Sequence, residues 1–313
     1  MRKHHCLTGA SLVLVQLLLG VTAGHAGNVG DAGALFLRLG MGARAAGMGE
    51  AYTAVAKDAS SIYWNPGAMA PVLGTNIVLT HNEFIQSVRL EQGALTHETD
   101  FGTFGFSFTG LFMDDLDRFG PDPSEFPLGQ FSVFDIAFAG GYARYVVPNL
   151  SIGISGKWIH QKIDQSTANG AAFDLGLYHV SRVKGLKFAA VVVNLGSPMN
   201  YSDDFFQGKD FALPRSIKLG ASYDRRLPGL ESQVLAAFDI VLPNDGDAKQ
   251  HLGGEFVYKR MLYLRAGYKA GYDSQGGTFG FGVEYQTLMF DYAFLLVKND
   301  LGDSHRIGLT FKI

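Results

Sequence analysis

The chain has 313 residues, 47% of them hydrophobic, and carries 26 Lys and Arg residues against 29 Asp and Glu residues. A formal net charge of −3 argues against a nucleic-acid partner, because proteins that bind nucleic acid normally present a clustered basic patch. The single cysteine, Cys6, excludes a disulfide within the chain and any metal site built from several thiolates.

Residues 1–26 have the pattern of a signal peptide. A basic Arg2-Lys3 pair precedes an apolar run over residues 12–19, and small residues surround a cleavage position after Ala26. The apolar run is much shorter than the ~20 residues that a membrane-spanning helix requires. We predict that cleavage removes Cys6 with the signal and leaves 24 basic and 29 acidic residues, a net charge of −5.

Residues 27–74 follow the signal and show no period-two alternation. They are rich in Gly and Ala, which allow close packing of backbone against backbone. Asp58 is a candidate cap for a short helix through Trp64, and Pro66 would end that helix. The glycines around Gly42 do not fit a dinucleotide-binding loop, because no strand precedes them and Ala45 occupies the third glycine position. We predict that this segment is a hatch that plugs a barrel lumen.

From residue 75 onward, hydrophobic residues alternate with small or polar ones, as in strands with one apolar face. In the stretch 277–285, Phe279 and Phe281 share one face and Gly280 and Gly282 share the other. The pattern predicts fourteen strands, at residues 75–82, 86–97, 101–113, 131–147, 149–162, 170–180, 186–195, 214–225, 231–242, 249–259, 261–271, 277–287, 288–297 and 304–313.

The connectors between these strands alternate in length. Those after even-numbered strands are tight, whereas residues 114–130 and 196–213 form long links after the third and seventh strands. Outer-membrane barrels have short periplasmic turns and longer external loops. We therefore predict an all-β fold over residues 75–313, a transmembrane antiparallel up-and-down barrel of about 14 strands in contact with outer-membrane lipid, with both termini periplasmic. A secreted water-soluble barrel or sandwich is the alternative, although it would have no reason to sort its loops by side.

The hatch segment carries a resemblance to a known family. Two stretches, residues 42–52 and 58–66, resemble the N-terminal signature of the PorV/PorQ family, which belongs to the FadL-like superfamily of outer-membrane proteins. Gly67-Ala68 departs from the pattern, since relatives commonly carry Ala-Gly there. The rest of the chain matches only in architecture, a fourteen-stranded barrel with an N-terminal hatch. The residues of the motif are Gly42, Arg44, Gly47, Gly49, Glu50, Asp58, Ser60, Trp64, Asn65 and Pro66.

The resemblance implies two functions of different class. PorV-like members serve type IX secretion by binding exported proteins and passing them to a processing partner. FadL-like members move hydrophobic small molecules, such as fatty acids, through a hatch-gated barrel. The short loops favour the secretion-associated function, as does the aromatic loop 196–213. The aromatic residues of this loop are Tyr201, Phe205, Phe206 and Phe211. They are candidates for contact with a protein or ligand, and packing on the barrel rim is the alternative.

No residue pattern indicates an enzyme, and we expect no catalytic, cofactor-binding or metal-binding residues. The Ser304-His305 pair lacks the spacing of a nucleophile and its base, and paired loop aspartates are better explained as solvated charge. A selective pore would show one dominant sign of charge. The predicted lumen face instead mixes basic and acidic side chains, which predicts a plugged or narrow barrel. The charged residues predicted to face the lumen are Arg89, Glu91, Lys157, Asp174, Lys218, Asp224, Glu255, Arg265, Lys269 and Glu284.

Overall fold

The computed structural model describes residues 32–84, 88–120, 125–202, 210–297 and 304–313. The predicted signal peptide and the first residues of the hatch, 27–31, lie outside the described residues, as do Phe205 and Phe206. Among the described residues, no helix combines the length and the apolar character needed to span a membrane.

The described chain is dominated by antiparallel β-structure. The strands are β1 Thr75–Glu83, β2 Arg89–Thr99, β3 Gly102–Phe112, β4 Leu116–Arg118, β5 Gly129–Phe131, β6 Val133–Val147, β7 Leu150–Ile163, β8 Ser166–Val180, β9 Leu186–Gly196, β10 Ser216–Leu227, β11 Ser232–Pro243, β12 Lys249–Tyr258, β13 Leu262–Ala270, β14 Gln275–Tyr285, β15 Leu288–Val297 and β16 Ser304–Lys312. The helical elements are single turns, with 3-10 turns at Leu35–Arg38, Pro66–Met69 and Pro228–Leu230 and α-helical turns at Ala43–Gly47 and Ser61–Trp64.

Fourteen of the strands form a closed barrel in which each pairs with its neighbour, and β1 pairs with β16 to close it. This confirms the predicted fold class and strand number. β4 and β5 form a separate two-stranded hairpin within the long link between β3 and β6. Sequence alternation missed this hairpin because three residues are too few to establish a period of two.

The start of the barrel and its last strand meet at the end that carries the short turns. Thr75 N donates to the carbonyl of Ile313 at 2.9 Å, and Ile313 N donates back to Thr75 O at 2.8 Å. Glu98, beside the tight β2–β3 turn, donates its backbone N–H to Gly74 O at 3.0 Å. The long links therefore all lie at the opposite end, which we call the long-loop end.

The outer wall of the barrel is apolar and the inner wall is polar or small. On β13 and β14 the outward side chains include Leu264, Phe279 and Phe281, which are 60%, 52% and 43% exposed. The inward residues between them include Arg265, which is 4% exposed. A continuous apolar exterior on a closed barrel is the surface that a lipid bilayer covers, so the fold is that of a transmembrane β-barrel.

The predicted inward direction was wrong for Arg89 and Glu91 of β2. Arg89 lies on the exterior, where it pairs with Asp114 at 3.2 Å, and Glu91 pairs there with His81 at 2.7 Å. The adjacent Gln92 faces the lumen instead. Leu90 and Leu95 lie on opposite faces of this strand, so alternation alone could not fix which face was apolar.

Candidate functional site

Most of the described part of the predicted hatch, residues 32–74, is buried against the inner wall of the barrel. Met41, Ala46, Met48 and Ala51 are fully buried between the hatch backbone and the barrel wall. The hatch and wall approach each other closely because both present small residues. A Cβ added to Gly267 of β13, for example, would lie 2.1 Å from Gly49 N. The fit leaves no room for a larger side chain at this contact.

The turn at Gly49 and Glu50 sets the position of the main acidic group of the hatch. Both residues adopt left-handed backbone conformations, with φ of 62° and 60°. Glycine takes this conformation freely, whereas Glu50 pays a conformational cost that the surrounding contacts must offset. Gly49 N donates to Thr278 Oγ1 of β14 at 2.9 Å, which fixes the turn to the wall.

Glu50 joins the hatch to two barrel strands. Its carboxylate accepts from Lys269 Nζ at 2.6 Å and lies 3.5 Å from Arg306 Nη1. Arg306 Nη1 also donates to the carbonyl of Gly40 at 2.7 Å. Burial alone would raise the pKa of Glu50, but the charges of Lys269 and Arg306 dominate and lower it to about 2. Glu50 is therefore ionised and holds two cations of the barrel wall against the hatch.

Arg44 belongs to a second ionic network. It binds Glu255 through two hydrogen bonds of 2.9 and 2.7 Å. Arg265 also donates to Glu255 at 2.7 Å and to Asp291 at 2.7 Å. Two guanidinium groups thus face two carboxylates, and the charges in this part of the lumen balance. Such a network fixes the hatch to β12, β13 and β15.

Asp239 of β11 holds the hatch through its backbone. Its Oδ2 accepts from the N–H groups of Tyr52 and Thr53, both at 2.9 Å, and from Thr53 Oγ1 at 2.6 Å. Asp239, Asp291 and Arg306 were not among the residues predicted from the sequence to face the lumen. Each lies next to at least one apolar or aromatic residue in its strand. Because neighbouring side chains in a strand point to opposite faces, a charged residue beside outward-facing apolar residues could have been predicted to face the lumen.

The predicted cap is only partly realised. Asp58 accepts from Ser60 N at 2.9 Å and from Ser60 Oγ at 2.5 Å, so it stabilises the turn that precedes the helix Ser61–Trp64. The helix ends at Trp64, as the following Pro66 predicts. Asn65 then caps the next 3-10 turn by accepting from Gly67 N at 2.9 Å.

Trp64, Asn65 and Pro66 lie against the inner wall. Asn65 Nδ2 donates to Leu177 O of β8 at 2.9 Å, and a Cβ on Gly153 of β7 would lie 2.3 Å from the Pro66 carbonyl carbon. Trp64 Nε1 donates to Met41 O at 2.9 Å. The remaining motif residues have packing roles: Gly42 precedes the turn Ala43–Gly47 with φ of 91°, and Gly47 contacts the backbone of Gly280.

A cavity of about 380 Å³ lies between the hatch and the long-loop end of the barrel. Apolar residues form much of its lining, among them Leu37, Leu39, Trp64, Val193, Val241 and Leu295. Six lining residues carry basic side chains: Arg38, Lys218, Lys249, His251, Lys269 and Arg306. Glu50 is the single acidic residue in the lining that the structure describes. The cavity thus has largely apolar walls, and most of its charged lining residues are cationic.

The comparisons with known proteins identify a family. The profile described as "Uncharacterised protein family (UPF0164)" matches residues 21–192, which include the hatch and strands β1 to β8. The chain belongs to the UPF0164 family. No curated protein sequence matches it.

Solved structures similar to this UPF0164 member are outer-membrane barrels. The toluene transporter TodX of Pseudomonas putida covers 87% of this chain with 96% of its own length, at 12% identity and a TM-score of 0.57. The outer-membrane protein Omp33 of Acinetobacter baumannii covers 77% of this chain with 98% of its own, at 10% identity and a TM-score of 0.45. At these identities the TodX similarity supports the fold alone.

The aromatic loop of this UPF0164 member packs partly on itself. The rings of Tyr201 and Phe211 meet edge to face with centroids 5.7 Å apart. Tyr201 pairs with Ala168 of β8, and Phe211 pairs with Met199. Both aromatic residues are half-buried at the barrel rim.

Within the described ranges, no group of three or more His, Cys, Asp or Glu residues could hold a metal ion.

Proposed function

We propose that the protein is an outer-membrane channel that binds a small amphiphilic molecule with an acidic group in the cavity above the hatch. The observation that carries this proposal is Lys218, a cavity residue whose ammonium group lies over two aromatic rings and, among the described residues, is not held in an ion pair. In the described chain, no Asp or Glu oxygen lies within 4.0 Å of Lys218 Nζ. Its nearest aromatic partners are the rings of Trp64 and Tyr63, at 5.0 and 5.8 Å from the centroids.

The charges around the cavity support an anionic ligand. An ammonium group held in an enclosed site loses hydration, and a cation–π contact restores only ~0.5–2 kcal/mol. The carboxylates of Glu50, Asp239 and Asp174 act on Lys218 only from a distance. Each is held by other groups: Glu50 by Lys269 and Arg306, Asp239 by Thr53, and Asp174 by Lys157. Arg306 Nε also has no hydrogen-bond partner among the described residues. A carboxylate or sulfonate bound here would satisfy these donors.

The size and walls of the cavity support an apolar remainder of the ligand. Small-molecule sites commonly measure ~300–1,000 Å³ and combine apolar walls with a few polar groups. The cavity volume of about 380 Å³ is at the lower end of that range. We propose reversible binding and passage without covalent chemistry. TodX is described as a toluene transporter, but its low identity does not assign its substrate to this chain.

Trp64 provides a direct assay because it lines the cavity and the chain has only one other tryptophan, Trp158. The variant Trp158→Phe leaves Trp64 as the sole reporter. Titration with octanoate should change its fluorescence at concentrations about tenfold or more below those needed for 1-octanol, because a hydrogen bond to a charged group contributes ~1.5–3 kcal/mol.

A second variant tests the role of Lys218. In the Trp158→Phe background, Lys218→Gln should bring the octanoate affinity close to that of 1-octanol. Lys162→Gln is the matched control. This substitution also removes one ammonium group from above an aromatic ring, that of Phe134, but Lys162 is not part of the cavity lining. Equal affinity for the acid and the alcohol in the unsubstituted cavity would contradict the proposal.

A second candidate is association with type IX secretion, as the resemblance of the hatch motif to the PorV/PorQ family implies. The observation that favours it is the exposed apolar surface of the β4–β5 link, where Phe119, Phe126 and Leu128 are 54%, 77% and 74% exposed. Such side chains suit a protein partner. A pull-down from solubilised outer membrane should then recover exported proteins that share a C-terminal domain. A source genome without other type IX components would exclude this function.

Because short turns are periplasmic in outer-membrane barrels, we infer that the C-terminus and the start of β1 face the periplasm and that the cavity faces the cell exterior.

A further inference from the structure

The short-turn end of the barrel carries a basic surface on one side. The turns β8–β9, β10–β11 and β12–β13 follow one another around the barrel. Residues 181–185 and 259–261 each contain two basic residues, and the end of β10 contains two more. The turns at residues 100–101, 148–149 and 286–287, elsewhere on this end, contain no Lys or Arg. We call the basic surface the basic rim; it consists of Arg182, Lys184, Arg225, Arg226, Lys259 and Arg260.

The side chains of the basic rim are exposed and largely without ionic partners. All six residues are exposed. Within the described residues, only Lys259 has a carboxylate within 4.0 Å, that of Glu231 at 3.7 Å. Like charges brought together on a surface repel one another unless counter-charges gather there. The basic rim therefore favours an anionic partner.

The turns are held side by side by the backbone. Asp224 N of β10 donates to Gly185 O at 3.0 Å, which joins the β8–β9 turn to its neighbour. Lys259 N donates to Glu231 O at 2.9 Å and joins the β10–β11 turn to the β12–β13 turn. The six charges thus occupy a continuous, ordered edge of the sheet. Ordered charges lose little conformational freedom on binding.

Each turn of the basic rim also exposes a large apolar side chain. Val183, Leu230 and Met261 are 58%, 63% and 50% exposed, one on each turn. Lys259 Nζ lies 5.3 Å from the ring centroid of Tyr258, which is itself 40% exposed at the edge of the apolar wall. Apolar and aromatic side chains beside extended basic ones are typical of the boundary between hydrocarbon and headgroups. A water-filled compartment alone would not favour the apolar members.

We propose that the basic rim binds anionic phospholipid headgroups of the leaflet that meets the short-turn end of the barrel. The phosphates would contact the Arg and Lys side chains while Val183, Leu230 and Met261 enter the interface. This would fix the depth of one side of the barrel in the membrane and gather anionic lipid there. The interaction is independent of what the lumenal cavity binds.

Electron spin resonance with spin-labelled lipids tests the proposal. The protein is reconstituted in phosphatidylcholine vesicles that contain spin-labelled phosphatidylglycerol or spin-labelled phosphatidylcholine. Both leaflets carry the label, so the orientation of the protein does not affect the result. We expect the motionally restricted fraction to show an about twofold or greater preference for phosphatidylglycerol, since each basic residue near an anionic surface contributes favourably. The preference should fall when salt is raised from about 0.1 M to about 1 M, which shortens the Debye length from about 10 Å to about 3 Å.

A triple variant with one substitution on each turn, Arg182→Gln, Arg225→Gln and Arg260→Gln, should lose most of this preference. The matched control, Arg89→Gln, Lys162→Gln and Arg215→Gln, removes the same charge from the long-loop end and should retain it. A preference that is absent, that survives the first triple variant, or that falls equally in both would overturn the proposal. Saturable binding of inorganic phosphate by the detergent-solubilised protein, lost in the first variant, would also overturn it and indicate a free anion as the ligand.

Discussion

Neutralising Glu50 should weaken the attachment of the hatch to the barrel while the barrel itself stays folded. Glu50→Gln keeps the size of the side chain but removes the charge that faces Lys269 at 2.6 Å and Arg306 at 3.5 Å. The side chains of these two cations are only 5% and 3% exposed, so water cannot replace the carboxylate. Removing one partner of a buried ion pair costs ~3–5 kcal/mol. The amide of glutamine can still accept one hydrogen bond, so we expect a cost near the lower value, about 3 kcal/mol.

Hydrogen exchange measured by mass spectrometry reports this cost directly. A loss of about 3 kcal/mol from the local opening free energy raises the exchange rate of hatch amides by roughly 150-fold. The effect should be confined to peptides that cover residues 40–56. Peptides from β10 to β12 should keep their protection, because their backbone hydrogen bonds belong to the closed barrel.

Glu91→Gln is the matched control for Glu50→Gln. Glu91 also has a close nitrogen partner, His81 Nδ1 at 2.7 Å, but on the exterior, where its side chain is 42% exposed. Exposed ion pairs contribute ~0–1 kcal/mol, so exchange should rise by less than about fivefold. Unchanged hatch protection in Glu50→Gln, or an equal loss of protection in the barrel strands, would refute the assignment of Glu50 as an ionic link that stabilises the hatch.

Three further outcomes are expected. Deletion of residues 27–70 should raise single-channel conductance in planar bilayers, and a conductance equal to that of the intact protein would place the segment outside the pore. An epitope tag at Pro123 should be labelled on intact cells and one at Gly229 should not; the reverse pattern would invert the topology. Because the pKa of Glu50 falls from its unfolded value of ~4.3 to about 2 in the folded protein, its contribution is complete above the unfolded value and is lost as pH falls towards 2. Conductance should therefore stay constant between about pH 8 and pH 5, and opening near pH 6 would point to a different group.

The barrel could be predicted from sequence because its two signals are local. Alternation over ten residues defines a strand such as β14, and the length of the connector that follows shows the end of the barrel to which it belongs. Where the local signal is ambiguous, the prediction fails. Leu90 and Leu95 have opposite parity in β2, so Arg89 and Glu91 were assigned to the wrong face.

The arrangement of the hatch could not be predicted in the same way. Its fixed points join residues that are remote in sequence, such as Gly49 and Thr278, separated by 229 positions, and Gly40 and Arg306, separated by 266. The motif indicated that Arg44 and Glu50 were important, but it carried no information on their partners. Those partners depend on the register of the closed barrel, which sets the height at which Glu255 and Lys269 project into the lumen.

The distribution of charge within the lumen distinguishes the part that holds the hatch from the part that faces the cavity. Around Arg44 the charges are paired, because the carboxylates of Glu255 and Asp291 face the guanidinium groups of Arg44 and Arg265. Around the cavity Arg38 pairs with Asp245, but Glu50 alone meets both Lys269 and Arg306, and Lys218 lies over the ring of Trp64. A barrel wall that served only to fix a plug would gain from balanced charge throughout. In the described cavity lining, cationic side chains outnumber the single carboxylate of Glu50, which is the arrangement that the proposed anion-binding cavity requires.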